Sequence, residues 1–144
     1  MPPSSDLQRF TAEAQRLAEL AGRELTRMRT TDVQVHHKAT RRELVTAADR
    51  AAETIVVGGL LAAFPDHAVL AEEGVLTAQG RASKSADWTW IVDPLDGTTN
   101  YVHGLPHFAV AVALAFRNEP VVGVVHAPAL GETFVGARDR KSVV

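Results

Sequence analysis

The stretch Trp90–Phe108, WIVDPLDGTTNYVHGLPHF, decides how the rest of the chain is read. Trp90, Ile91 and Val92 form an apolar run that reads as a buried strand and delivers Asp93 at its end. Pro94 has no backbone N–H, so it is expected to stop the pairing there. Asp96 follows closely, and then come Gly97, Thr98, Thr99 and Asn100, which are small, polar and rich in donors. A backbone of that kind can close on an anion. Two carboxylates beside an anion cradle point to a divalent cation and a phosphate.

Upstream, FPDH at Phe64–His67 reads as a helix stop and turn, followed by the short apolar strand Ala68–Ala71. That strand ends in Glu72 and Glu73, and strand ends are where hard-metal ligands sit in layered α/β proteins. By the same strand-end logic Glu72, Asp93 and Asp96 converge. Two carboxylates about 4 Å apart repel by roughly 4 kcal/mol at an effective dielectric near 20, so the cluster needs protons or cations to persist. Oxygen-only donors, with no cysteine in the chain, favour Mg2+, with Mn2+ as the alternative, over zinc. One short loop carries two ligands, and the Leu95 carbonyl is expected to face the same ion. The Gly97 and Thr98 amides, opening a short helical turn, are suited to phosphate oxygens.

The chain before this point is helical in pattern. Ser4, Ser5 and Asp6 are capping residues, and Leu7, Phe10, Ala14, Leu17, Ala21, Leu25 and Met28 recur in steps of three and four. From Thr30 to Lys38 the period fades, and Val33 and Val35 suggest a short strand or extended link. His36 and His37 would then face opposite sides and share no metal. A second helix is expected to run from a Thr46 cap to about Phe64, with Ala48, Ala52, Ile55, Val56 and Leu60 as its buried stripe. Asp49 would sit in its first turn, where the helix dipole alone favours a carboxylate. Gly58 and Gly59 are expected to weaken or bend that helix.

Beyond Glu73, Gly74–Ala86 reads as an irregular polar connection. Phe108–Phe116 is a strand, Arg117–Pro120 a hairpin turn into Val121–His126, and Glu132–Val135 starts another strand. Consecutive strands after two helices give an α+β fold, with the helices packed on a largely antiparallel sheet. Gly104 and Pro106 break any helical zinc pair of His103 and His107. His126 reads as a hydrogen-bonded core histidine, and Trp88 and Trp90 as packing residues.

With 46% hydrophobic and 22% charged residues, the 144-residue chain has the balance of one soluble globular domain. A net charge of −2 without a basic block argues against a nucleic-acid partner. No signal-peptide order or membrane-length apolar run is present, so no membrane partner and a cytoplasmic location are expected.

DPLDGTTN, with AEEG upstream and ELVTAAD before that, resembles the inositol monophosphatase family of lithium-sensitive, magnesium-dependent phosphatases. The resemblance runs from the first helix to about Arg138, and the three motifs keep the family's order. It implies a layered sugar-phosphatase-like fold whose C-terminal α/β region is missing here. It implies metal binding by Glu72, Asp93, the Leu95 carbonyl and Asp96, phosphate contact by Gly97 and Thr98 with Asp96 beside them, and water activation by Asp49 with Thr98. Glu73 joins the catalytic set, and Lys38 matches a position near a mobile loop of the metal site. The reaction implied is direct hydrolysis of a small phosphorylated metabolite. Relatives handle inositol monophosphate, histidinol phosphate, sugar bisphosphates and adenosine bisphosphate, and homodimers are usual for full-length members.

Residues 1–138 are accordingly expected to be the N-terminal part of such a domain. The last six residues, Asp139–Val144, match the translation of a common sequencing adapter and are expected to be a non-native tail. Turnover by this chain alone is expected to be impaired, because the family's Trp-Asp motif and substrate-choosing residues are absent. Two rivals stand beside this reading. One is a haloacid-dehalogenase-like phosphotransferase, which would place only one residue between its two Asp. The other is a metal- or phosphate-binding module without catalysis.

Overall fold

A 32-residue helix, α1 (Ser4–Val35), opens the fold. Its stripe of Leu7, Phe10, Ala14, Leu17, Ala21 and Leu25 is buried, while the Arg16–Glu13 and Arg27–Glu24 pairs lie on its outer side. The computed structural model describes residues 3–35, 41–72, 74–81 and 86–138. His36, His37, Lys38, Glu73 and the 139–144 tail lie outside them. The helix continues through Val35, which corrects the extended link expected around Val33 and Val35. Once a packed stripe has nucleated a helix, each further residue adds a backbone bond at little cost. Thr30 follows suit, its hydroxyl donating to the Thr26 carbonyl at 3.0 Å.

The second helix, α2 (Arg41–Ala63), begins five residues before the expected cap. Thr46 is internal, and its hydroxyl donates back to the Arg42 carbonyl at 2.9 Å. Asp49 therefore lies two turns inside the helix, beyond the first turn where the dipole favours acids. The dipole explanation of Asp49 is thereby removed. The helix also runs unbroken across Gly58 and Gly59, so neither ends it. At Gly59 a Cβ would come within 2.3 Å of Leu17 Cδ2, whereas at Gly58 it would meet nothing within 4 Å. Gly59 is what lets α1 and α2 approach.

Seven strands follow among the described residues: β1 (Ala68–Ala71), β2 (Gly74–Thr77), β3 (Gly80–Arg81), β4 (Trp88–Asp96), β5 (Ala109–Phe116), β6 (Glu119–Ala127) and β7 (Glu132–Ala137). They form one sheet in the order β3-β2-β1-β4-β5-β6-β7. Only β1 and β4 pair in parallel, and every other neighbouring pair is antiparallel. The hairpin of β2 and β3 replaces the irregular connection expected after Glu73. The β5–β6 turn places Arg117 and Asn118 at φ 47° and 69°, the left-handed pair that matches the twist of a tight hairpin.

The register puts Val69, Trp90, Leu114 and Val122 in one cross-strand row, and Val92, Val112 and Val124 in the next. These side chains are buried beneath the helices, with α1 over β5, β6 and β7 and α2 over β1 and β4. Each such side chain contributes about 1.5–3 kcal/mol on burial. Residues of alternate parity form the opposite face, where Leu70, Ile91, Val125 and Phe134 are exposed.

Candidate metal and phosphate site

Asp93 pairs with Ala111 and Asp96 with Ala109, so three steps along β4 match two along β5. This bulge corrects the expectation that Pro94 ends the pairing. Within a bulge the missing N–H of proline costs no ladder bond, and the strand resumes at Asp96. Pro94 and Leu95 turn inward and are buried, leaving Asp93 and Asp96 exposed on either side. The Leu95 amide donates to the Asp93 carboxylate, which favours its charged form.

Repulsion works against that favour. Partial burial, followed by the nearby charge of Asp96 and a smaller one from Glu72, raises the Asp93 carboxyl above its ordinary pKa despite the Leu95 amide. Asp49 is raised as well, first by burial, then by Glu72 and by Asp93. Four carboxylates from α2, the end of β1 and the β4 bulge thus lie in one electrostatic neighbourhood. Among the described residues none of the four is ion-paired with a Lys or Arg. Nor do any three acidic or imidazole side chains there converge on a common point. Thr98 and Asp49 make no direct hydrogen bond among the described residues, and Glu73 lies outside them. An oxygen-only, mutually repelling, solvent-facing donor set is chemically suited to a hard divalent cation.

The cradle beside these acids rests on Gly97, whose φ of 81° and ψ of 43° are left-handed. A Cβ there would lie 2.7 Å from the His107 carbonyl oxygen, so only glycine fits. The short helix α3 (Thr98–Val102) starts at the next residue, with Thr98 and Thr99 exposed. Its position is fixed from behind. The Tyr101 hydroxyl donates to the Leu25 carbonyl of α1 at 2.7 Å, and the tyrosine is fully buried. The Asn100 amide donates to the His107 carbonyl at 2.8 Å. Arg29 donates to the Leu105 carbonyl at 2.9 Å and lies over the Phe108 ring at 4.6 Å.

Tyr101 and Arg29 are positioning residues that sequence reading missed, while Asn100, read as part of the donor-rich cradle, spends its amide on the loop. Leu25 stands 76 positions from Tyr101, and Arg29 stands 76 positions from Leu105, so no local pattern signals either contact. His103 Nδ1 accepts from Arg41 at 3.1 Å, and His107 serves the loop through its carbonyl. His126 is half-buried and bonded to Thr133 Oγ1 at 2.8 Å.

The family model described as the inositol monophosphatase family matches residues 6–144. Nus factor SuhB of Pseudomonas aeruginosa is 39% identical over 127 residues, which covers 88% of this chain and 45% of that protein. Fructose-1,6-bisphosphatase/inositol-1-monophosphatase of Thermotoga maritima is 42% identical over 99 residues, covering 69% of this chain and 36% of its own length. The solved inositol monophosphatase of Anabaena superposes with a TM-score of 0.77 at 34% identity, over 96% of this chain and 47% of that one. The chain thus spans about half the length, or less, of the relatives it matches.

Proposed function

This chain belongs to the inositol monophosphatase family, and we propose on that premise that it carries the metal and phosphate half of a phosphate monoester hydrolase. The observation that supports this reading is the gathering of Asp49, Glu72, Asp93 and Asp96, three of them exposed and repelling one another, beside the Gly97–Thr98 loop. Burying or clustering acids costs stability, so a cluster with no ion pair to Lys or Arg among the described residues supports a ligand that brings the charge.

Glu72, Asp93, the Leu95 carbonyl and Asp96 would hold Mg2+ or Mn2+. The ion, when bound, offsets phosphate charge and supplies the Lewis acidity that makes water nucleophilic near neutral pH. The Gly97 and Thr98 amides, with Asp96 beside them, orient the phosphate for in-line attack. Asp49, its pKa raised by burial and by its neighbours, accepts the proton of the attacking water by way of the Thr98 hydroxyl. Glu73 is assigned to the same proton-handling group by its motif. The substrate is a small phosphorylated metabolite.

Phosphate release from a small monoester at millimolar magnesium tests the reading, with Asp93→Asn as the control. Magnesium-dependent release lost in that variant supports hydrolysis, at a low rate for this chain alone. A second reading is binding of magnesium and phosphate without turnover, in keeping with the lack of a Thr98–Asp49 hydrogen bond among the described residues. Calorimetric magnesium and phosphate binding without any release would select it. Failure to bind either would sink both.

A further inference from the structure

We infer that the sheet face left uncovered by the helices is a contact surface for a second copy of this chain, arranged about a two-fold axis that crosses β6 and β7. Val125 of β6 and Phe134 of β7 are directly opposite each other in the ladder and are each 41% exposed on that face. Two residues away along the same strands, Gly123 is opposite Gly136. Two bulky apolar side chains thus stand beside two positions that carry none. The fold does not require glycine at 123, because its φ lies outside the left-handed region and a Cβ there would meet nothing within 4 Å. Glycine within a strand costs stability and often marks a place where another backbone or a ligand comes close.

A two-fold axis passing over Val124 and Val135, perpendicular to the strands, turns this pattern onto itself. It seats Val125 and Phe134 of each copy over Gly123 and Gly136 of the other, the self-complementary relation of an isologous contact. The charges obey the same symmetry. On β7 the residues of this face are Glu132, Phe134, Gly136 and then Arg138, whose amide still donates to the Val121 carbonyl at 2.8 Å. Glu132 and Arg138 each stand three residues from Val135, so the axis brings Glu132 of one copy opposite Arg138 of the other. Both are exposed, and among the described residues neither is ion-paired within its own chain. On β5 the neighbouring positions are Ala111 and Ala113, so no large side chain holds the two sheets apart. Towards β4 the same axis sets Ile91 against Asp93, so the copies close at β7 and splay towards the acid cluster. The patch on β5, β6 and β7, with strands about 4.8 Å apart over about seven residues, is roughly 300 Å² per copy. A stable dimer needs about 800 Å², so this association is weak and concentration-dependent.

Sedimentation equilibrium of the intact 144-residue chain, from tens of micromolar to about 1 mM, tests the assignment, with amide spectra read over the same range. A monomer–dimer equilibrium is expected, with concentration-dependent shifts at Gly123, Val125, Phe134 and Gly136. Gly123→Val fills the seat from open space, so it should weaken dimerisation about tenfold while Tm stays unchanged or rises. Glu132→Arg and Arg138→Glu should each weaken it several-fold, and the double reversal should restore it. A chain that stays monomeric throughout the range would overturn the proposal. So would association indifferent to Gly123→Val, or shifts confined to Leu70 and Ile91. A double reversal no stronger than either single one would also overturn it, because this axis pairs those two charges across the contact.

Discussion

The indole N–H of Trp90 donates a 3.0 Å hydrogen bond to Nδ1 of His67 within a cluster of rings. His67 stacks on Phe64 with centroids 5.0 Å apart and on Trp88 at 5.5 Å, while Phe10 meets it edge-on. A nitrogen that accepts a hydrogen bond carries no proton, so the ring is neutral and its proton sits on Nε2. Burial foremost, then the charge of Arg9, lowers the His67 pKa to about 4, against a small opposing pull from Asp66.

This pair makes stability pH-dependent. Between about 4 and 6.5 the unfolded chain protonates His67 and the folded chain does not, so the unfolded state binds more protons and stability rises with pH. The contribution is complete above 6.5 and is lost as pH falls towards 4. After allowance for solvent screening it amounts to about 2 kcal/mol. His67→Phe keeps the stacking but orphans the Trp90 N–H. It should cost about 1–3 kcal/mol at pH 8 and flatten this part of the curve. Urea unfolding at stepped pH reads both effects, and an unchanged slope in the variant would refute the assignment.

His67 and Trp90 also mark where sequence reading stops. Trp90 was legible as a buried strand residue because its neighbours are apolar. Its partner was not, because FPDH carries only the signal of a turn. The α1 stripe was legible from Leu7 to Met28 because periodicity and burial coincide there. Beyond Met28 the apolar period is lost, and Arg29, which holds the Leu105 carbonyl, carries no apolar signal. The β2–β3 hairpin was missed because all four β2 residues are only half-buried, which leaves no alternation to see. Asp49 is the instructive case, since placing the helix start five residues late lent it a dipole role that the structure removes. Its proximity to Glu72 and Asp93 depends on the parallel β1–β4 pairing, and no local pattern encodes that.

The adjacent glycines of α2 should respond in opposite directions. Gly58→Ala meets open space and gains helix propensity, for a stabilisation of about 0.5–1 kcal/mol. Gly59→Ala drives a methyl into Leu17 and should lose about 1–3 kcal/mol despite the same propensity gain. Leu17→Ala in the Gly59→Ala background should recover part of that loss. Denaturant midpoints of the three variants check the contrast, and equal effects at both glycines would contradict it.

The cradle should be sensitive to its hidden tether. Tyr101→Phe removes the 2.7 Å bond to Leu25 while keeping the ring, and should cost about 1–2 kcal/mol. Gly97→Ala combines a left-handed φ with a 2.7 Å approach to the His107 carbonyl, and should cost about 1–3 kcal/mol. Phosphate binding in the presence of magnesium should weaken further in Gly97→Ala than in Tyr101→Phe. Equal losses of binding would show that the glycine acts only through stability.

The acid cluster should destabilise the metal-free chain near neutral pH. Asp49 and Asp93 have raised pKa values when folded, so just above their ordinary range the folded state binds more protons than the unfolded one. Stability from this source is present below pH 3.8 and is lost as pH rises through the folded values, the reverse of the His67 trend. A His67→Phe background separates the two. In it, Asp49→Asn should raise Tm at pH 7 by about 2 °C, near 0.5 kcal/mol for solvent-screened charges. Magnesium should raise Tm of the parent chain by holding the carboxylates ionised, and the gain should shrink in Asp49→Asn and shrink further in Asp93→Asn. Thermal melts in chelator and in millimolar magnesium provide the measurement. A metal-free Asp49→Asn less stable than its parent would show that Asp49 is held by contacts worth more than its repulsion from Glu72 and Asp93.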